Sequence, residues 1–281
     1  MEARRLPMGE LVYGRERVLF AVMLLVSLLL YGSLVTVALS DASTGGVFLF
    51  YGVLLAFGGF VAHAFALGRI RGNGVLVTER QFPFLQQMVN AHARQLGLTY
   101  SPTVYVLESG GILNAFATKL LGRKFVIVNA DILALAVRRG QEALSFVVGH
   151  ELGHHWRGHL RWRWLIAPAR FVPYLGPAYS RACEYTCDRV GAYCAPDGAI
   201  DGLLVLAAGS WLHRHVNAQE FAKQADSDRG FWIRRAELVS SHPRLPKRVA
   251  ALLALGVPSA APEPLPASDA LPSLLSRGLT G

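Results

Sequence analysis

Charge is scarce in this chain, and acidic charge is scarcest: 17% of the 281 residues are charged, 19 acidic against 28 basic, while 52% are hydrophobic. That is more apolar than an average soluble chain, and the length allows one substantial domain plus appendages. Cysteine is nearly absent. Three thiols, Cys183, Cys187 and Cys194, cannot make a closed disulfide set, so they read as reduced structural residues of a cytosolic domain. No nucleic-acid motif accompanies the formal net charge of +9 and its basic residues are scattered, which argues against nucleic acid as a partner and for an anionic lipid leaflet.

Charge is missing altogether from two runs of 22 residues, Val18 to Leu39 and Val47 to Gly68. Each is long enough to cross a hydrocarbon core of about 30 Å, and the first is too long for the apolar part of a signal peptide. They predict a transmembrane hairpin over 18–68 with a short polar turn at 40–46. Arg4, Arg5, Arg15 and Arg17 precede it and Arg69 and Arg71 follow it, so both ends carry the mark of the cytoplasmic side. The expectation is an integral protein of a bacterial inner membrane, with a basic N-terminus at 1–17 and a cytoplasmic domain at 75–256. His63, inside the second run, is given no role. Beyond Val257, five prolines with alanine and serine predict a disordered tail over 257–281.

What is present is Gly149-His150-Glu151-Leu152-Gly153-His154, followed thirty positions later by Glu184-Tyr185-Thr186-Cys187-Asp188. Residues four apart on a helix lie about 40° apart in projection, so His150 and His154 present their imidazoles from one face, as two corners of a tetrahedral Zn²⁺ site require. Glu151, too close to His150 to share the ion, is left beside the open position as a base. Glu184 supplies the third ligand in this reading, and Asp188, one turn further on, is within reach of the outer nitrogen of a ligand histidine. An isolated H-E-x-x-H also arises by accident in soluble helices; the E-x-x-x-D downstream makes the pattern more specific. A thiolate set from Cys183 and Cys187 would need the second helix rotated by about 100°.

The apolar positions Leu144, Val147, Val148 and Leu152 predict a helix over Gln141 to Leu160 with one buried stripe. Gly149 and Gly153 would each cost about 1 kcal/mol against alanine inside it, so something must pack closely against that backbone. Thr78 and Gln81 read as a capping box before a helix ending at Gly97. Strands are expected at Thr103 to Leu107, Asn114 to Thr118 and Lys124 to Asn129, and a helix at Ile200 to Trp211. The fold class is α+β, a small sheet ahead of the metal helices. Segment 161–179 has aromatic and basic residues but Pro168, Arg170, Pro173 and Pro177 break any spanning run, leaving a surface-lying segment or an ordinary loop. His155, His159, His213 and His215 read as surface or supporting groups.

These residues, with Asn114-Ala115-Phe116-Ala117 upstream and Ser241-His242-Pro243 downstream, resemble the membrane-bound zinc metallopeptidases of the M48 type, which include HtpX-type heat-shock proteases and CaaX-processing proteases. The resemblance covers roughly Thr103 to Arg248. It implies a gluzincin-like domain with one Zn²⁺ held by His150, His154 and Glu184, Glu151 as catalytic base, and His242 near the active site as a donor. Asn114, Ala115 and Phe116 match an edge-strand motif that holds extended peptides, with Phe116 itself packing into the core. HtpX-type members carry two further spans where this chain has 161–179. The function implied is a membrane-anchored endopeptidase acting on protein or peptide substrates, with membrane-protein quality control as one setting. A CaaX-type processing protease is the alternative, favoured by His154-His155-Trp156, and a non-catalytic membrane scaffold is the alternative of another class.

Overall fold

A computed structural model describes residues 7–108 and 115–264. Two long helices open the chain, α1 (Gly14–Ser40) and α2 (Ala42–Asn73), and both are long and apolar enough to cross a membrane. The expected seven-residue turn is shorter than the sequence suggested. Asp41 alone separates the helices, because its carboxylate accepts from the backbone N–H of Ser43 and starts α2 at once. Gly45 of α2 lies against Ala38 of α1, where a Cβ would meet backbone, so the arms pack tightly near the turn.

The sheet follows, with β1 (Val75–Leu76), β2 (Thr103–Leu107), β3 (Ala115–Leu120) and β4 (Arg123–Asn129) in the order β1-β2-β4-β3. β2 and β4 are parallel, Val104 opposite Val126 and Val106 opposite Val128, while β3 pairs antiparallel with β4 at the edge. Leu121 and Gly122 make the β3–β4 turn with φ of +48° and +84°, the sign that a two-residue hairpin of matching twist requires at both positions. Both faces of the β2–β4 pair are covered, which explains the unbroken run Phe125-Val126-Ile127-Val128. Val104, Val106, Val126 and Val128 enter the main core; Tyr105, Phe125 and Ile127 pack on Leu67 and Ile70 at the end of α2. His63 adds a 3.1 Å contact from its Nε2 to the Lys119 carbonyl.

On the core side lie α3 (Pro83–Gln95), α4 (Ala130–Arg139), α5 (Glu142–Arg157), α6 (Leu175–Cys194), α7 (Ala199–Leu212), α8 (Ala218–Ser227), α9 (Phe231–Val239) and α10 (Leu245–Ala254). Thr78 and Gln81 are not a capping box. They exchange backbone hydrogen bonds as an isolated bridge, and α3 starts at Pro83, whose preset φ suits a first turn. His213 is buried rather than exposed. The first residues of the expected tail, 257–264, lie along the domain, with Val257 in the core and Glu263 paired to Arg214 at 3.0 Å; the rest of 257–281 lies outside the described residues.

Segment 161–179 is neither a span nor a plain loop. Ile166, Ala169 and Tyr179 form a small cluster with Met23 of α1 and Cys183 of α6, and the Ala169 N–H donates to Ser27 Oγ at 3.2 Å.

Candidate metal centre

α5 and α6 cross at close range because glycine removes side chains from both. A Cβ at Gly149 would stand 2.9 Å from Cys194 Cβ and 3.1 Å from Gly191 Cα, and one at Gly153 would stand 3.2 Å from Cys187 Cα. This is the close packing that the two helix-interior glycines imply. It brings the face bearing His150, Glu151 and His154 against the face bearing Glu184 and Asp188, all of them buried except His154, which is half-buried.

The donor atoms converge. Glu184 Oε2 lies 3.5 Å from His150 Nε2, and Glu184 Oε1 lies 3.5 Å from His154 Nε2. Ligands about 2.1 Å from a tetrahedral zinc stand about 3.4 Å from one another, so this spacing matches two edges of such a site. Cys187 competes for the same place, since it, His150 and His154 each bring one donor atom within 4.8 Å of the others. The thiol differs from the carboxylate in chemistry. Burial, reinforced by Glu184, pushes the Cys187 thiol well above its usual pKa, whereas Glu184, despite burial, is held well below the carboxylate range by His150 and His154. An ionised carboxylate facing two imidazoles is the better-prepared donor.

Each histidine is also held from behind. His150 Nδ1 lies 3.0 Å from Asp188 Oδ1, and Asp188 in turn accepts from Arg248 Nε at 2.8 Å and Nη2 at 2.5 Å. Burial opposes charge on His150, but Asp188 and Glu184 outweigh it and raise its pKa to about 10. Arg248 already gives these buried carboxylates one cation, its Nη1 lying 3.5 Å from Glu184 Oε2, and the two imidazoles with Glu184 form a donor set able to hold a second. His154 Nδ1 lies 3.0 Å from His159 Nδ1, and His159 Nε2 lies 3.3 Å from Glu16 Oε1, which Arg157 also binds at 2.7 Å. With His154 Nδ1 donating to His159 Nδ1, His154 Nε2 keeps its lone pair towards Glu184, and Glu16 stands behind His159 as a charge partner.

A cleft of about 270 Å³ opens over these groups, lined on one wall by Ala115, Phe116 and Ala117 of the edge strand and on another by His242. His242 Nε2 is 3.6 Å from Glu184 Oε1, and its side chain is exposed at the rim. Phe116, expected in the core, is half in solvent at 41% exposure, because alternation along β3 turns Ala115 inward and Phe116 out. Asn114 lies outside the described residues. His155 faces away from the cleft; its Nε2 donates to the Phe125 carbonyl at 3.1 Å, and burial lowers its pKa to about 4.

His159, read as a surface or supporting group, is a supporting one, brought back by Gly158, whose φ of +71° ends α5 and turns the chain. Two supporting residues escaped the sequence reading, and Arg248 had only its place six residues after His242. Glu16 carried no local sign at all.

A family model described as peptidase family M48 matches residues 79–170 and 165–255. Over 76 residues the chain is 40% identical to a protein named Protease HtpX homolog from Pyrobaculum aerophilum, a stretch covering 27% of this chain and 21% of that protein. It is 33% identical over 107 residues to the Protease HtpX homolog of Pyrobaculum islandicum, covering 38% of this chain and 28% of the relative. The matched stretches thus span 21% and 28% of the length of these relatives.

Proposed function

The chain belongs to peptidase family M48, and on that premise we propose that it is a membrane-anchored, zinc-dependent endopeptidase whose metal ligands are His150, His154 and Glu184. The observation that carries the reading is the convergence of two imidazole Nε2 atoms on the two oxygens of one buried carboxylate, each at 3.5 Å, beside Glu151 in the same cleft. Zinc held there supplies a Lewis acid for a carbonyl and makes a water acidic near pH 7.

Glu151 takes the proton of the attacking water and delivers it to the leaving amine. Asp188, with Arg248 behind it, fixes the ring of His150; His159, with Glu16 behind it, fixes the ring of His154. His242 at the rim donates to the carbonyl oxygen as charge develops there. The substrate peptide runs along the edge strand at Ala115 to Ala117, where main-chain hydrogen bonds hold it with little demand on its sequence. Phe116, exposed in the cleft, offers an apolar surface to one of its side chains.

The two apolar helices anchor the domain, and the arginines at both ends of the hairpin put it on the cytoplasmic side. Stripping purified full-length protein with a chelator should abolish casein cleavage, and one equivalent of zinc should restore it. Cleavage that survives complete metal removal would reject the reading.

A further inference from the structure

The hairpin enters the domain at two different heights. Among the described residues, the first polar contact of α2 with the sheet is made by His63, and Ala42 to Ala62 runs about 31 Å before it at 1.5 Å per residue. That length alone fills a hydrocarbon core of about 30 Å. Counting equal numbers of residues back from Asp41, His63 is level with Leu19 of α1.

α1 remains covered well past that level. Phe20 lies against Trp162 and Tyr179, Met23 is fully buried in the Ile166 and Ala169 cluster, Ser27 accepts from the Ala169 N–H, and Tyr31 Oη donates to the Trp164 carbonyl at 2.9 Å. From Phe20 to Tyr31 is about 16 Å along the axis, shortened by the lean of the tyrosine towards the helix N-terminus. Segment 162–174 therefore climbs α1 by roughly one leaflet of hydrocarbon, about 15 Å.

Its outer surface suits that place. Trp162, Trp164, Phe171, Val172 and Tyr174 are all exposed, Phe171 at 90%, as are Leu25, Leu28 and Leu29 of α1. The Arg161 guanidinium lies 5.0 Å from the ring of Trp162, which packs on Phe20 at the foot of the climb, a pair that suits the headgroup zone and can match anionic lipid. Accordingly, we propose that 162–174 is a lipid-embedded wedge, sunk into the leaflet nearer the peptidase domain beside α1, without crossing the bilayer.

This rests on the hairpin being membrane-spanning, and the test separates the two. Full-length protein carrying a nitroxide at Phe171→Cys, Phe48→Cys or Lys223→Cys is placed in phosphatidylethanolamine and phosphatidylglycerol vesicles, with unsubstituted protein as background for the three native thiols. Collision with oxygen, which favours lipid, is compared with collision with a polar nickel chelate. Phe48 is an exposed residue of α2 and Lys223 an exposed one of α8. The ratio at Phe171 should lie within about two-fold of that at Phe48 and at least about five-fold above that at Lys223. If Phe48 reads as lipid and Phe171 as water, the wedge is wrong and the anchor stands. A label at Phe171 shielded from both agents, as a protein contact would shield it, also overturns the wedge. Water at Phe48 overturns the anchor and the wedge together.

Discussion

His150 and His154 face one cleft from one helix, yet different parts of the chain stand behind them. Behind His150 are Asp188 and Arg248, buried residues of α6 and α10, joined by two charge-assisted hydrogen bonds. Behind His154 are His159, just past the end of α5, and Glu16, at the root of the first apolar helix. The first support is internal to the peptidase domain and closed on both sides. The second depends on α1 being docked, and Arg157, which also binds Glu16, is itself partly open to solvent. On the proposed ligand set, one histidine is thus held by the domain's own packing and the other by the seating of the apolar hairpin, a coupling between the two that the following variants test.

Glu151→Gln leaves both supports intact and should have the largest effect, lowering casein cleavage by about 10²- to 10⁴-fold with zinc content unchanged by elemental analysis. Undiminished turnover would remove Glu151 as the base. Glu184→Ala cuts across both sides, since one carboxylate faces both imidazoles. Zinc should then be lost on dialysis, and full retention would hand the third position to Cys187.

Asp188→Asn tests the internal support alone. It should weaken zinc about 10- to 100-fold in competition with a chelator. The same side carries a pH dependence. Metal-free His150 holds a proton up to about pH 10 and must lose it to bind zinc, so apparent zinc affinity should rise about ten-fold per pH unit between pH 6 and 8. Calorimetry in buffers of different ionisation enthalpy should show proton release in that range, and affinity independent of pH would contradict the charged His150.

Glu16→Gln acts one residue further from the metal and keeps a hydrogen-bonding group facing Arg157. We expect the smallest effect, a loss of zinc affinity below about ten-fold, comparable to that of His159→Gln. The asymmetry disappears if Glu16→Gln costs as much as Asp188→Asn, and the coupling to α1 disappears if it costs nothing.

How much of this was legible follows from the range of each interaction. The shared face of His150 and His154, the role of the helix glycines and the apolar hairpin were readable because spacing on a helix and the length of an apolar run are local properties. The Thr78 to Gln81 pattern misled because a bridge and a capping box use the same polar residues three positions apart, and here the two residues bond each other through their backbones. Phe116 was placed in the core because an aromatic in a strand usually packs; the edge position of β3 and its register with β4 turned it to the cleft.

By itself the sequence determined the family, the α+β class and the grouping of His150, Glu151 and His154, since these depend on residues a turn apart or on motifs in a set order. Tertiary structure alone decided that Arg248 would back Asp188, that Glu16 would stand behind His159, and that 162–174 would climb α1. Those contacts join residues 60 to 143 positions apart. Pairing over such distances leaves no periodic trace in a single chain, because nothing about a lone Glu or Arg beside an apolar run says which buried partner the packed helices will bring to it.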